Sequence, residues 1–144
     1  MTTHGLRILD HSVQTVHEWL HDIGQCAGMG PDPQRAYHAM RAVLHTLRDR
    51  LTVTEAADLA AQLPLFVRGV YYEGWQPAKT PVKLRTREAF IEAVQQRLYG
   101  GPPMNAVDAT KAVFATLKKH CAPGEMSDIR AQLPADLSAM FEAA

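Results

Sequence analysis

The sequence predicts an all-α protein: a duplicated four-helix unit, about eight helices in all, with approximate internal two-fold pseudo-symmetry around one core. Three observations predict it. Residues 36–70 align with residues 106–140 at a constant offset of 70 and without a gap, and twelve of the 35 pairs are identical, ending in a shared AQLP string. Self-similarity at a fixed spacing marks a duplicated structural unit. Apolar residues recur along the chain at three- and four-residue steps, the period of a helix face. No segment sustains the alternation that a half-buried strand needs. The repeated residues are small, apolar or cap-like, so the duplication preserves packing and not chemistry. The organisation that follows is a single helical domain, 1–144, built of two repeats at about 10–72 and 86–142 and joined by an aromatic and basic linker, 73–85.

The first helix is carried by Val13, Val16, Leu20, Ile23 and Ala27, with Asp10 as its N-cap and Gly28 and Gly30 closing it. The second opens at Asp32-Pro33, a capping residue followed by proline at the first helical position. Its apolar stripe is Tyr37, Met40, Leu44, Leu47 and Leu51, and its opposite, solvent-facing side carries His38, Arg41, His45 and Arg48. The third begins with a capping box in which the Thr52 hydroxyl accepts from the Glu55 amide and the Glu55 side chain reaches back to Thr52. In the second repeat Pro123 takes the first helical position, and Glu125 falls where Glu55 does and favours the helix dipole. Both glutamates are therefore structural. Each of these helices stops at Leu-Pro, because proline disfavours helical geometry in the residue before it. Pro64 and Pro134 then start a fourth helix as first-turn residues, with Phe66, Val67 and Val70 apolar in one repeat and Leu137, Met140 and Phe141 in the other. Trp19, Leu20 and Ile23 match Phe90, Ile91 and Val94 at an offset of 71, which gives the first helix its partner.

Size and composition narrow the class. A chain of 144 residues buries roughly 70% of its unfolded surface without needing staples. Lys+Arg and Asp+Glu balance at 15 each, so no global field recruits nucleic acid or an anionic membrane. Cys26 and Cys121 lack metal-site spacing and are expected to be free. The opening MTTHGLRILDHS holds no apolar run resembling a leader, and nothing approaches the apolar length of a membrane span. The expectation is a soluble, cytoplasmic protein of bacterial type.

Several strings in order, AYHAMRAVLHTLRDRLT, EAADLAAQLP, VRGVYYEGWQP, PVKLRTREAFIEAV and PGEMSDIRAQLP, resemble the bacterial domain of unknown function 2267 family from about Val13 to Phe141. The resemblance implies an all-helical bacterial protein with a duplicated core. It implies no activity and supplies no catalytic positions. One departure is Ala122 before Pro123, where a capping serine fits the pattern better.

Candidates for chemistry are sparse. His17 and His21 have a chelating spacing, but no carboxylate on the next turns completes a set. There is no CxxCH, GxSxG, HExxH or glycine-rich phosphate loop. No catalytic residue, metal or cofactor is therefore assigned, and the chain reads as leaning away from enzymes. The unrepeated linker region is the exception. Arg68, Tyr71, Tyr72, Trp75, Lys79, Lys83 and Arg85 form the candidate binding set, since Tyr, Trp and Arg anchor interfaces. Against this stands the alternative that Tyr72 and Trp75 merely plug the groove between the repeats. The leading function is a small non-enzymatic binding or protein-interaction module whose partner is an unknown protein or a second copy. The alternatives are a small-molecule or cofactor-binding protein with a pocket between the repeats, and a weak nucleic-acid binder acting through the His38/Arg41/His45/Arg48 face.

Overall fold

The computed structural model describes residues 5–144. Residues 1–4, part of the stretch read above for a leader, lie outside the described residues. The helices are α1 (Arg7–Gly24), α2 (Pro33–Arg50), α3 (Val53–Gln62), α4 (Leu65–Tyr72), α5 (Arg87–Leu98), α6 (Ala106–His120), α7 (Pro123–Gln132) and α8 (Ala135–Ala143), with one 3-10 turn, Pro77–Lys79, between α4 and α5. Among the described residues there is no strand, and no helix is long and apolar enough to cross a membrane.

The helix ends follow the alignment. α2 and α6 stop at Arg50 and His120, α3 and α7 run Val53–Gln62 and Pro123–Gln132, and α4 and α8 begin at Leu65 and Ala135, each at the offset of 70. The packing is compatible with the duplication as well. α1 packs on α2 and across onto α6, while α5 packs on α6 and across onto α2; α2 meets α6, and α3 meets α7. Trp19 and its match Phe90 are both buried, as are Ile23 and Val94.

α2 lies innermost. It touches α1, α4, α5 and α6, and Ala36, Ala39, Met40, Ala42, Val43, Leu44, His45, Thr46, Leu47 and Arg48 are all buried along it. The solvent-facing side expected for this helix is thus largely absent. His45 and Arg48 keep only 5% and 3% of their surface, because the chain leaving α4 and the flank of α5 lie over them. Alanines at 39, 42, 109 and 112, each at most 2% exposed, leave room for helix backbones to approach. The loops lock reciprocally. Gly28, in the left-handed region at φ +83°, sits so close to α6 that a Cβ would collide with the Asp108 carboxylate, and a Cβ on Gly101 would press on the His38 ring of α2. His38 and Asp108 occupy equivalent positions in the two copies. Arg35 ties both loops, donating to the carbonyls of Met29, Gly28 and Pro103.

Several helix starts differ from the sequence reading. α1 begins at Arg7 with Leu6 as a cap whose hydrocarbon side chain offers no bond, while the Leu6 carbonyl accepts from the amides of Leu9 and Asp10. Val13 is 40% exposed, and Trp19 replaces it in the buried face. Asp32 does cap α2, accepting from the Gln34 amide at 2.9 Å. Pro64 and Pro134 are extended cap residues that precede α4 and α8. Phe66 is half exposed and Tyr71 takes its place inside.

The capping box at α3 forms only in half. The Thr52 hydroxyl accepts from the Glu55 amide at 3.2 Å, but the Thr52 amide donates to Gln132 of the other half at 3.3 Å. The equivalent Gln62 accepts from the Ala122 amide at 3.2 Å, which offsets the missing capping side chain there. Freed from Thr52, the Glu55 carboxylate accepts from Gln132 Nε2 and faces Glu125 and Asp128, with oxygens of all three within 4.8 Å of one another. Burial, a hydrogen bond to Glu55 and repulsion from Glu55, Asp58 and Asp128 push the Glu125 carboxyl up to about 8. This favours the protonated Glu125 carboxyl beside Glu55 across the α3–α7 contact.

Two predictions follow from this packing. Ala42→Leu overfills the α2 environment and should cost about 1–3 kcal/mol, read as a lowered urea midpoint; an unchanged midpoint contradicts close approach at this residue. A group whose folded pKa is raised gives stability that is fully present below its unfolded pKa and is lost as pH rises through the folded value. For Glu125 that window runs from its ordinary 4.5 to about 8. Glu125→Gln should therefore gain thermal stability relative to the parent progressively across that window, measured by parallel melts; parallel curves at every pH rule the raised Glu125 out.

Candidate functional site

The largest concentration of charge lines a cleft of about 470 Å³ between α2, α5 and the segment that joins α4 to α5. α2 supplies Arg41, His45, Arg48 and Asp49, which its helical period places along one side. α5 supplies Arg97, and the linker supplies Glu73, Gln76, Lys79 and Thr80. The linker is held in place by its backbone. The Val82 amide donates to the Asp49 carbonyl at 2.6 Å, and Arg50 Nε donates to the Leu84 carbonyl at 3.0 Å. The Thr80–Pro81 peptide between these ties and Glu73 is cis.

Arg48 forms the floor. Its NH1 donates to the carbonyls of Tyr71 and Glu73, both at 2.8 Å, and its Nε to Asp49 Oδ1 at 2.8 Å. It thus satisfies carbonyls left open at the end of α4. Arg97 closes the far wall, reaching Asp49 Oδ2 at 2.8 Å and the Thr46 hydroxyl at 2.7 Å. His45 Nε2 lies 2.6 Å from the Val70 carbonyl. A carbonyl only accepts, so Nε2 carries the hydrogen. Burial lowers the His45 pKa, and Arg48, Arg41 and Arg97 add to that against the Val70 bond, which opposes it. The ring is therefore neutral near pH 7. Arg41 stands at the mouth, paired with Glu73 at 2.6 Å. Arg41, Arg48, Arg97 and Lys79 thus face only Asp49 and Glu73, an excess of positive charge.

The other copy duplicates the scaffold of this site without its chemistry. Lys118, equivalent to Arg48, caps α8 through the carbonyls of Phe141, Glu142 and Ala144. His45 becomes Ala115, Arg41 becomes Lys111, and Asp49 becomes Lys119. At the matching α1–α6 joint the charges are reversed: Asp22 holds Lys119 at 3.0 Å and His120 at 2.6 Å, and His120 stacks on Trp19 at 4.8 Å. Burial would raise the Asp22 pKa, but the bonds from His120 and Lys119 outweigh it and lower it.

The residues singled out in the linker region separate. Arg68 is committed to the end of α3, donating to the carbonyls of Ala60 and Leu63 at 2.9 Å. Tyr71 is fully buried and donates its hydroxyl to the Ala56 carbonyl at 2.8 Å. Neither can line an exposed patch. Tyr72 and Trp75 are half-buried, their ring centroids 5.3 Å apart and the planes tilted by 30°, with the Trp75 indole N–H buried and unbonded. Lys79, Lys83 and Arg85 are exposed, and only Lys79 reaches the cleft. The sequence reading missed Asp49, Glu73 and Arg97 and placed His45 and Arg48 on an open face. The usable signal was the contrast between copies, in which His45 and Asp49 face Ala115 and Lys119. His17 and His21 are exposed and gain no third ligand among the described residues.

A family model described as an uncharacterised conserved protein, DUF2267, matches residues 16–140. No curated protein matches the chain.

The roles of floor and mouth predict different outcomes. Arg48→Ala uncaps α4 and takes from Asp49 one of its two cations, Arg97 remaining, and should cost about 1–3 kcal/mol, as when buried acceptors lose their donor. Lys79→Gln at the exposed rim should stay within about 0.5 kcal/mol of the parent. Chemical denaturation of both variants checks the contrast.

Proposed function

For a chain that belongs to the DUF2267 family over residues 16–140, we propose a non-enzymatic binding module that seats an anionic small molecule in the cleft between α2, the linker and α5. The observation that carries this reading is the excess of cations there: Arg41, Arg48, Lys79 and Arg97 against Asp49 and Glu73. Charged donors on a partly enclosed wall hold an oxyanion through charge-assisted bonds, which are shorter and stronger than neutral ones. The second copy has Ala115, Lys119 and Ala143 where this face has His45, Asp49 and Glu73, which supports a role for the mixed set beyond packing, because the end of the fourth helix is closed there by Lys118 alone. The neutral, buried His45 offers the site a polar group without further charge. Nothing in this arrangement aligns a nucleophile with a base, so binding is the reading and not catalysis.

A second reading is favoured by one observation. Lys83 and Arg85 stand exposed beyond the cleft, and such a basic edge suits an acidic protein partner. The buried His45 and Arg48 do not support a nucleic-acid face on α2.

The test is a thermal-shift screen of small phosphorylated and carboxylated molecules against the parent, Lys79→Gln and a Lys83/Arg85 double glutamine variant. A ligand at a hundredfold excess over its Kd adds about 2.7 kcal/mol of stability. The expected pattern is a stabilised parent, a reduced effect in Lys79→Gln and an unchanged effect in the double variant. A shift that survives Lys79→Gln and disappears in the double variant places the binding on the outer linker.

A further inference from the structure

We propose that Glu73 is a built-in competitor for the cleft, its carboxylate resting on Arg41 where one charge of a phosphate-class dianion docks, so that the ligand enters by displacing it. This rests on the reading of the cleft as a ligand seat and adds the ligand class and the means of control. A single oxygen, Glu73 Oε1, accepts from both Arg41 Nε at 2.9 Å and NH2 at 2.6 Å. The pair lies at the mouth, with 59% of the Glu73 side chain and 41% of the Arg41 side chain exposed, so it can open without uncovering the core. The Glu73 backbone, by contrast, is fixed. Its carbonyl accepts from Arg48, its amide donates to Val70, and the next residue, Gly74, turns sharply at φ +75°. Displacement therefore needs only a side-chain rotation about an anchored Cα. The second copy keeps a cation but lacks the lock: Lys111 stands at the position of Arg41, and Ala143 at that of Glu73.

The competitor selects its displacer by charge. A tethered carboxylate acts at an effective concentration in the millimolar range, and Arg41 holds the Glu73 carboxyl below the usual carboxylate range, keeping it ionised near neutral pH. A free monocarboxylate makes the same contact without the tether and loses. A phosphate monoester or inorganic phosphate carries about −1.5 to −2 charges near pH 7, a charge that favours it at Arg41 in a cleft also lined by Lys79 and Arg97.

The experiment is a calorimetric titration at low salt of inorganic phosphate, glycerol 3-phosphate and acetate into the parent, Glu73→Gln and Arg41→Gln, with circular dichroism confirming that each variant is folded. Expected are saturable binding of a phosphate probe to the parent, about fivefold tighter binding to Glu73→Gln, as release of an exposed ion pair allows, loss of binding in Arg41→Gln, and no binding of acetate to the parent. Phosphate binding to the parent that Glu73→Gln leaves unchanged or weakens overturns the competitor and leaves the ligand seat standing. So does acetate binding to the parent as well as phosphate does. Absence of saturable binding by the parent and Glu73→Gln alike overturns the seat for this ligand class, and the competitor with it.

Discussion

The enclosure of α2 is the constraint on which the rest of the structure depends. Four helices surround it, and its middle turns, Ala42 to Arg48, are buried without interruption. A helix can be wrapped on every side only if some sides are narrow, and the alanines at 36, 39 and 42 supply that narrowness. Thr46 fits the same environment by turning its hydroxyl back to the Ala42 carbonyl, as Thr116 does to Ala112. The polar groups that remain on this helix must then find partners within the fold. His45, Arg48 and Asp49 find them on the chain around and beyond α4, so the path of the linker is set by hydrogen bonds from α2.

The two copies show which of these solutions belong to the scaffold. A cation that closes the end of the fourth helix is present in both, as Arg48 and as Lys118. An ion pair that joins the first helix of one half to the second helix of the other is present in both, with its sign reversed between Asp49–Arg97 and Asp22–Lys119. What differs is the neighbourhood: a linker, a histidine and an arginine at one end, and Ala115 and the last residues of the chain at the other.

Much of the fold was legible in the sequence. Leu-Pro at 63–64 and 133–134 marked the ends of α3 and α7, and Asp32-Pro33 marked the start of α2, because capping and proline geometry are local properties. The cleft was not legible for a reason equally physical. Helical period separates an apolar stripe from its opposite side, but it does not say whether a second layer covers that side. The alternation of Arg41, His45 and Arg48 on α2 therefore read as solvated. Glu55 is the first-turn residue expected, its amide donating to the Thr52 hydroxyl, but the Thr52 amide expected to bond its carboxylate donates to Gln132, 80 residues on, and Gln132 Nε2 in turn donates to the Glu55 carboxylate. Local rules name the groups that need partners; only the tertiary fold says which partners arrive. The linker aromatics were ambiguous for the same reason, and Tyr71 and Tyr72, adjacent in sequence, end in different surroundings.

The linker is anchored at both ends of its crossing, to Arg48 through the Glu73 carbonyl and to α2 through Val82 and Leu84. Its slack is confined to the few residues between Gly74 and Pro81. The width of the cleft is consequently a matter of chain length as well as of side chains. A residue inserted in that stretch would widen the opening while leaving both anchors and the helices untouched, and a residue removed would have to be drawn from one anchor or the other. The opening of the cleft can thus be retuned by insertion and deletion after Trp75, in residues that take no part in the hydrophobic core.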